Sequence, residues 1–541
     1  MIPAGGSKSE PRWGLWLAIT VSMAGYLGLV RTDWVTGTLR ASSVSNTIVW
    51  YLVAFAGFAL VLWWVNHAET VTKLSSVSPS GSATRTTTGS TVESAARLAG
   101  RAMPGWRWLW LAPIVFRLLM LATEPTLSDD VYRYLWEGHL LTSGVNPYAY
   151  PVLDPALDIY ATGHIGDLQS MVNNPTLASP YLPAAHGVFS LVHVILPTNP
   201  LSMQIVMTLL DGATALGLLA LTRMASLPSS RVLIYWWNPL VIVETSHGAH
   251  LDALMVSLTV AAVVLTYRFK PMFDPSEASR AKLTPRPLKR CWWVAAPVAM
   301  ALAVSTRPIP LLLVPVLFWY WGWRQRAMFG AAMAAMIAPF AFLPGWGAGR
   351  SVTESAATYS RYFRFNSGPY HWFERWVSSR GLDDKGWNEP VQLTRILVGL
   401  VVVVAMSWVF WRAWQLTKAF SASPSGPSLQ TLLALLSVPM MVYVLATSVL
   451  HPWYLVMVIA FVIFLPSWFD RLPWLMLSAL IVFSYLTYAD PNHFAEREWV
   501  RKLEWFPTLS LLVLAAALAL SRFLSARSPS PRRAGSVSTP S

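Results

Sequence analysis

Two adjacent carboxylates, Asp129 and Asp130, open the segment Ser128-Asp129-Asp130-Val131-Tyr132-Arg133-Tyr134-Leu135-Trp136-Glu137-Gly138-His139. Ser128 is a good N-cap, so the spacing predicts a helix with both aspartates in its first turn, where the helix dipole favours negative charge. Residues three and four apart are neighbours on a helix, so Asp130, Arg133 and Tyr134 should share one face. A carboxylate, a guanidinium and a phenol in that arrangement could act as a general base beside a phosphate-binding cation. The same residues could also make a capped, solvated interfacial helix with a local ion pair. The aspartate pair alone favours that second reading, because acids are common at helix starts.

More residues of this kind come later in the chain. His247, His250 and Asp252 fall close together. They supply three ligands of the four a structural zinc site needs, and His-x-x-His alone is a weak zinc signal. Hydrogen bonding to a sugar, a phosphate or a helix end is the preferred reading. Glu244 would be costly facing lipid, so it should tie helices together or face a cavity. Arg307 follows a short apolar run and precedes Pro308. An arginine inside a membrane segment costs about 2.5–3.5 kcal/mol on insertion scales, which argues for a partner or a function; a snorkelling helix-end arginine is the alternative. His451 and Tyr454 should open a helix and contact phosphate and sugar, or serve with Trp453 as an interfacial anchor. The aromatic and basic stretch 358–376, with Tyr359, Arg361, Arg364 and His371, could be a lid over sugars or an amphipathic surface helix.

These residues must be positioned by membrane helices. Of 541 residues, 54% are hydrophobic and only 12% are charged, about half the charged share usual in soluble domains. Mean hydropathy is +0.45. So little polar surface excludes a set of water-soluble domains and predicts an all-α polytopic membrane protein. About fifteen apolar segments, judged against the length that spans a bilayer, run from 13–30 to 505–524. The single cysteine, Cys291, excludes an internal disulfide framework. The net charge of +14 sits in short loops, as membrane orientation requires, so no nucleic-acid partner is expected.

Loop charge sets the orientation. Residues 268–290 carry seven Lys/Arg against Asp274 and Glu277, and the tail beyond Ser521 is basic without acids; both read as cytoplasmic. The loop from Asp129 to Tyr181 has six acids and one arginine and reads as extracytoplasmic. Both termini then lie in the cytoplasm. Between Asp129 and Arg268 an odd number of crossings is required, yet four apolar segments are present. One of them, 182–197 or 231–246, must be re-entrant or lie flat. The resulting organisation is two N-terminal spans (1–67), a flexible Ser/Thr-rich cytoplasmic linker (68–105), a transmembrane catalytic module (106–524, first outer loop 123–181) and a basic disordered tail (525–541).

The run Asp129 to Gly138, followed by Gly144-Val145-Asn146-Pro147-Tyr148, resembles the first extracytoplasmic loop of the GT-C glycosyltransferase superfamily. It is most similar to bacterial polyprenol-phosphate-mannose-dependent mannosyltransferases. Further blocks agree in order: Asn173-Asn174-Pro175 with Tyr181-Leu182-Pro183 and His186; Trp237-Asn238-Pro239-Leu240, Glu244 and His247-Gly248-Ala249-His250-Leu251-Asp252-Ala253-Leu254; and His451-Pro452-Trp453-Tyr454. The resemblance runs from about residue 106 to 488. Leu182, His186 and Leu251 depart from the usual Pro, Gln and Asn.

The resemblance implies a GT-C-type bundle of about 12–14 transmembrane helices with short extracytoplasmic loop helices. It implies inverting transfer of a hexose, mannose first, from a polyprenyl-phosphate donor to a hydroxyl of a glycan or glycolipid acceptor within a membrane-lipid setting. Asp130 or Asp129 would be the base, and acid-x-x-Arg-Tyr spacing fits Asp130. Arg133, Arg307 and His451 are the donor-phosphate candidates. Tyr134, Trp136, Asn146, Tyr148, Asn238, Glu244, His247, His250, Asp252 and Tyr454 are the substrate-binding ones. No cofactor is required, because arginine can match the charge of one leaving phosphate; a divalent cation bridging Asp129 and Asp130 is compatible with the chemistry. The rivals are a transporter or lipid flippase of similar composition, and a lipid-linked glycan ligase or polymerase.

Overall fold

The computed structural model describes residues 13–36, 41–76, 106–268, 287–342, 358, 363–381, 392–422, 429–488 and 496–527. All regular secondary structure among them is helical, with one isolated bridge between Phe365 and Val449. The protein is an all-α polytopic membrane protein, as its composition requires: backbone polar groups in lipid must be satisfied within each segment. Among the described residues seven helices are long and apolar enough to span, and Pro239–His247 and Asp252–Arg268 are apolar enough only when taken together, with a bend of 115° between them. Four shorter apolar helices, Pro183–Ile195, Val294–Thr306, Ile309–Phe318 and Pro452–Val462, complete the set.

Helices α1 (Trp13–Thr36) and α2 (Ala41–Ser76) pair tightly. A Cβ on Gly25 would stand 2.4 Å from the Ala54 nitrogen, so glycine is what lets these backbones meet. The pair is tied into the module. Tyr26 stacks on Phe116 of α3 (Trp106–Met120), and the Tyr51 hydroxyl donates to the Ser478 carbonyl. Helix α2 continues to Ser76, into the stretch expected to begin a linker at 68. The remainder of that linker, most of the basic loop 268–290, Tyr359 and Arg361 of the expected lid, and the tail after Arg527 lie outside the described residues.

The geometry distinguishes the two candidates for the non-crossing segment. Helix α4 (Asp130–Thr142) lies against α5 (Pro183–Ile195). Tyr134 stacks on Phe189 with centroids 4.6 Å apart, and a Cβ on Gly138 would meet the Phe189 carbonyl at 2.5 Å. Thirteen residues reach about 20 Å, short of the roughly 30 Å hydrocarbon core. After α5 the chain is still at the same end of the bundle. In α6 (Pro200–Met224), Gln204 Nε2 donates to the carbonyls of Thr123 and His247, both at 2.9 Å. Residues 229–247, by contrast, run through the bundle in short pieces. Arg231 at one end donates to the Ile463 carbonyl at 3.3 Å, and His247 at the other meets Thr123 Oγ1 at 2.7 Å.

That broken run is what shapes the site. Asn238 and Pro239 restart the helix, with Asn238 Oδ1 accepting from Leu240 N. A π-turn covers Val243–His247, and Ala249 sits in the left-handed region at φ 53° before α7 (Asp252–Arg268) begins. Irregular backbone at this depth is tolerated because protein surrounds it: every residue from 230 to 250 is buried. Further helices are α8 (Pro287–Thr306), α9 (Trp323–Phe342), α10 (Gly368–Ser379), α11 (Gln392–Ala422), α12 (Leu429–Ala446), α13 (Leu455–Val462), α14 (Trp468–Leu480) and α15 (Glu498–Arg527). Inside the bundle the charged pair Arg117 and Asp211 is closed at 2.6 Å, with Tyr235 donating to the same carboxylate, so neither charge is left bare.

Candidate active site

Helix α4 begins one residue later than the Ser128 cap predicts. Asp129 is its N-cap residue, without a side-chain cap bond, and only Asp130 lies in the first turn. Ser128 Oγ accepts from Asp130 N at 3.3 Å. The two aspartates therefore differ. Asp129 points to the exposed side of the loop; partial desolvation, then the charge of Asp130, push its carboxyl above the usual range. Asp130 is half-buried and held: Asn173 Nδ2 donates to Oδ1 at 2.9 Å, and the Tyr134 hydroxyl approaches Oδ2 at 3.5 Å.

Behind Asp130 stands a carboxylate–imidazole pair from the broken run. His250 Nδ1 is 4.0 Å from Asp130 Oδ2, and His250 Nε2 is 3.2 Å from Glu244 Oε2. Tyr485 donates to both Glu244 oxygens, at 2.9 and 3.0 Å. The imidazole is fully buried and stacks on Trp453 with centroids 3.8 Å apart. Gly248 makes room for it: a Cβ there would stand 2.8 Å from His250 Cδ2.

Opposite lies the cation. Arg307 follows α8, with Nε 3.3 Å from Asp252 Oδ2 and its guanidinium carbon 5.1 Å from the Tyr454 ring centroid. Its side chain keeps 15% exposure, while Asp252 is completely buried and neither of its oxygens has a hydrogen bond. Asp130, His250, Glu244 and Arg307 all interact electrostatically with Asp252. Arg307 is thus anchored by one buried carboxylate yet not saturated, an arrangement able to receive an anion.

A column of rings closes one wall. Phe365, His451, Trp453 and His250 stack in that order at 4.4, 4.3 and 3.8 Å. His451 is fully enclosed, and burial pushes its imidazole down to about 3, so it stays neutral at physiological pH. It can offer a hydrogen bond through Nδ1, which has no partner, but no positive charge.

The structure gives the other expected site residues different work. Arg133 does not join Asp130 on the open face. Its Nη1 donates to Glu137 and the Leu177 carbonyl, both at 3.3 Å, and its Nη2 to the carbonyls of Asn173 and Asn174 at 2.5 and 2.9 Å. Three bonds to loop carbonyls and one to the Glu137 carboxylate leave little for a substrate phosphate. Trp136 is buried among Leu140, Val152, Leu157 and Val172. Asn146 Oδ1 accepts from Tyr148 N, and the Tyr148 hydroxyl donates to the Tyr181 carbonyl and meets His186. His186 reaches Glu137 Oε2 at 3.0 Å. Asn238 bonds Ser478, and His247 bonds Thr123 and Thr126. Together these residues build the loop and the turn; they do not line the constellation.

Sequence reasoning placed Asn173 and Gly248 within motif blocks without giving them a role, and did not name Tyr485 or Phe365. Asn173 carried a signal, since Asn-Asn-Pro demands a turn and Asn174 adopts φ 45° there. Tyr485 carried none: it lies far from Glu244 in sequence, within an ordinary apolar run. Among the described residues, no group of three or more His, Cys, Asp or Glu side chains is arranged to hold a metal ion.

The family described as "Alpha-(1->6)-mannopyranosyltransferase, N-terminal domain" matches residues 14–323, more than half of the chain. The chain belongs to this family. The matched region contains Asp130, Glu244, His250, Asp252 and Arg307, whereas Phe365, His451 and Trp453 of the ring wall and Tyr485 come from beyond it. One curated relative, alpha-(1->6)-mannopyranosyltransferase A of Mycobacterium tuberculosis (strain ATCC 25618 / H37Rv), is 31% identical over 169 residues. That stretch is 29% of this chain and 29% of the relative. No solved structure matches the chain.

Proposed function

We propose that this protein is an inverting mannosyltransferase that takes mannose from a polyprenyl-phosphate donor and passes it to a hydroxyl of a lipid-linked or envelope glycan. The observation that carries the reading is the convergence of Asp130 with Arg307 at one end of the helix bundle, in a chain of this family. Asp130 is the general base: it accepts the proton of the acceptor hydroxyl as that oxygen attacks the anomeric carbon. Arg307 stabilises the charge that develops on the departing phosphate, with Asp252 and Tyr454 holding it in place. Arg133 acts one step removed, through Asn173.

Positive-inside asymmetry supports an extracytoplasmic site, since the acidic loop 129–181 is on the site side and α7 leads away from the site to Arg268, where a basic stretch of sequence begins. The donor lipid lies in the membrane plane there. A transporter would place its ionisable residues near the midplane between repeats; here they gather at helix ends. The reading needs no resident metal, because one leaving monophosphate is matched by one guanidinium.

The test is donor choice. Membranes containing the protein should transfer labelled mannose from polyprenyl-phosphate mannose, with a chelator present, and not directly from a nucleotide sugar. Transfer from the nucleotide sugar alone would contradict the reading.

A further inference from the structure

The two N-terminal helices meet the segment that leads into α4 at a small polar cavity. Thr32 and Asp33 of α1, Thr47 of α2, Thr123 and Thr126 before α4, and His247 of the broken run line it, and apolar side chains complete it. About 20 Å³ is open there to the centre of a water-sized sphere. That is room for one such body and not for a sugar.

Asp33 brings a carboxylate to this space without a cation beside it. Its Oδ2 accepts from Glu124 N at 2.9 Å, while Oδ1 is buried and has no hydrogen-bond partner. The neighbouring charge that acts on it is a second carboxylate, Glu124. The hydroxyls around it direct their protons elsewhere. Thr32 donates to the Gly28 carbonyl at 2.9 Å, and Thr123 to the Met120 carbonyl at 2.5 Å. Thr123 Oγ1 therefore accepts from His247 Nδ1, 2.7 Å away, which leaves Nε2 as the acceptor that Thr126 approaches at 3.3 Å. Thr126 also interacts with Asp33 but has one hydroxyl proton for the two. Each of these hydroxyls keeps lone pairs on its oxygen. Carboxylate and hydroxyl oxygens around a space for one water-sized body are the donor set of a hard cation.

We propose that this cavity is a binding site for a monovalent cation of sodium size, held by Asp33 and the surrounding threonine oxygens. One carboxylate matches one positive charge. Magnesium keeps several of its waters, and calcium gathers a larger oxygen shell; the space accommodates neither. Hydroxyl oxygens supply most of the contacts, so the site needs no cluster of carboxylates or imidazoles. Asp33 is partly exposed and Glu124 is exposed, so the site lies within reach of water. The bound cation ties α1 and α2 to residues 123–126, just before Asp129, and offsets the repulsion between Asp33 and Glu124. This role is separate from the sugar chemistry and gives the N-terminal pair a function in ordering the loop that carries Asp130.

The experiment is thermal unfolding of the full chain in detergent, in sodium chloride against choline chloride at equal ionic strength, so that screening is the same. Wild type should show a saturable rise of about 3 °C in sodium. Asp33→Asn can keep the bond from Glu124 N but loses the charge, so it should show no such rise. Thr47→Val removes one hydroxyl oxygen and should need at least about 10-fold more sodium for half the effect, since lost outer-shell contacts alone weaken metal sites that much. If Asp33→Asn does not fold, Thr47→Val decides. Equal unfolding of wild type in the two salts would overturn the proposal and make the cavity a water site. An undiminished sodium response in Asp33→Asn, or an unshifted midpoint in Thr47→Val, would overturn it as well.

Discussion

Arg133 donates to the backbone carbonyl of Asn173 at 2.5 Å, while the Asn173 side chain donates to Asp130 at 2.9 Å. The arginine three residues after Asp130 therefore reaches it only through a loop. Arg133→Gln should break a buried ion pair with Glu137 and release that loop. Such breaks cost about 3–5 kcal/mol, so the unfolding temperature should fall clearly. Asn173→Ala should leave the fold intact and lower kcat by roughly 10- to 100-fold, the value of a hydrogen bond to a charged group. Thermal unfolding and steady-state kinetics of both variants separate the two effects.

Arg307 and Asp252 are a second separable pair. Arg307→Gln leaves Asp252 fully buried without a counter-charge, and should lose both stability and activity. Adding Asp252→Asn should restore the unfolding temperature, because the orphaned charge is gone, but not the transfer rate, because the phosphate still lacks its cation. Recovery of activity in the double variant would show that Arg307 acts only on Asp252.

Gly248 tests the fit of the imidazole. Its φ is −75°, so alanine suits the backbone, and the effect comes from the Cβ pressing on His250 first and on the Glu244 carbonyl 3.2 Å away. Gly248→Ala should express normally yet lose at least about 10-fold in kcat, since displacements near 1 Å at an active site cost up to 100-fold. Transfer assays on matched membrane amounts check this.

His451 gives a pH signature. Its folded value is pushed down to about 3 by burial first; the Asp130 carboxylate pulls it up by more than the Arg307 or the His250 charge alone pushes it down. The unfolded chain binds a proton near 6.5 and the fold does not, so stability is full above about 6.5 and falls as pH drops below it. His451→Phe keeps the ring column and removes the titration. Its unfolding temperature should decline less between pH 6.5 and 4.5 than that of wild type, measured by thermal unfolding in detergent across that range.

Much of this was legible in the residues themselves. Apolar runs require helices in lipid whatever their partners, and Asp130, Glu244, His250, Asp252, Arg307 and Tyr454 are ionisable or polar where polarity is expensive. What the sequence hides is direction. Arg133 and Tyr134 are adjacent on α4, yet Tyr134 turns toward Asp130 and Arg133 toward the carbonyls of 173, 174 and 177. Spacing sets a helix face and does not say which loop folds over it. The same gap separated α5 from 229–247: both are apolar and short, and only the bonds of Gln204 and Arg231 show which one turns back. Asn146 and Tyr148 looked like ligand contacts because polar loop residues bind, but here their bonds shape the loop.

The most direct test of the account is mannosyl transfer from polyprenyl-phosphate mannose by Asp130→Asn beside Asp129→Asn, at equal membrane expression. The amide cannot accept the acceptor's proton, so Asp130→Asn should lose transfer by a factor of at least about 100. Asp129→Asn, exposed and outside the first turn, should retain most of it. Full activity in Asp130→Asn, or loss confined to Asp129→Asn, would contradict the assignment of Asp130 as the base.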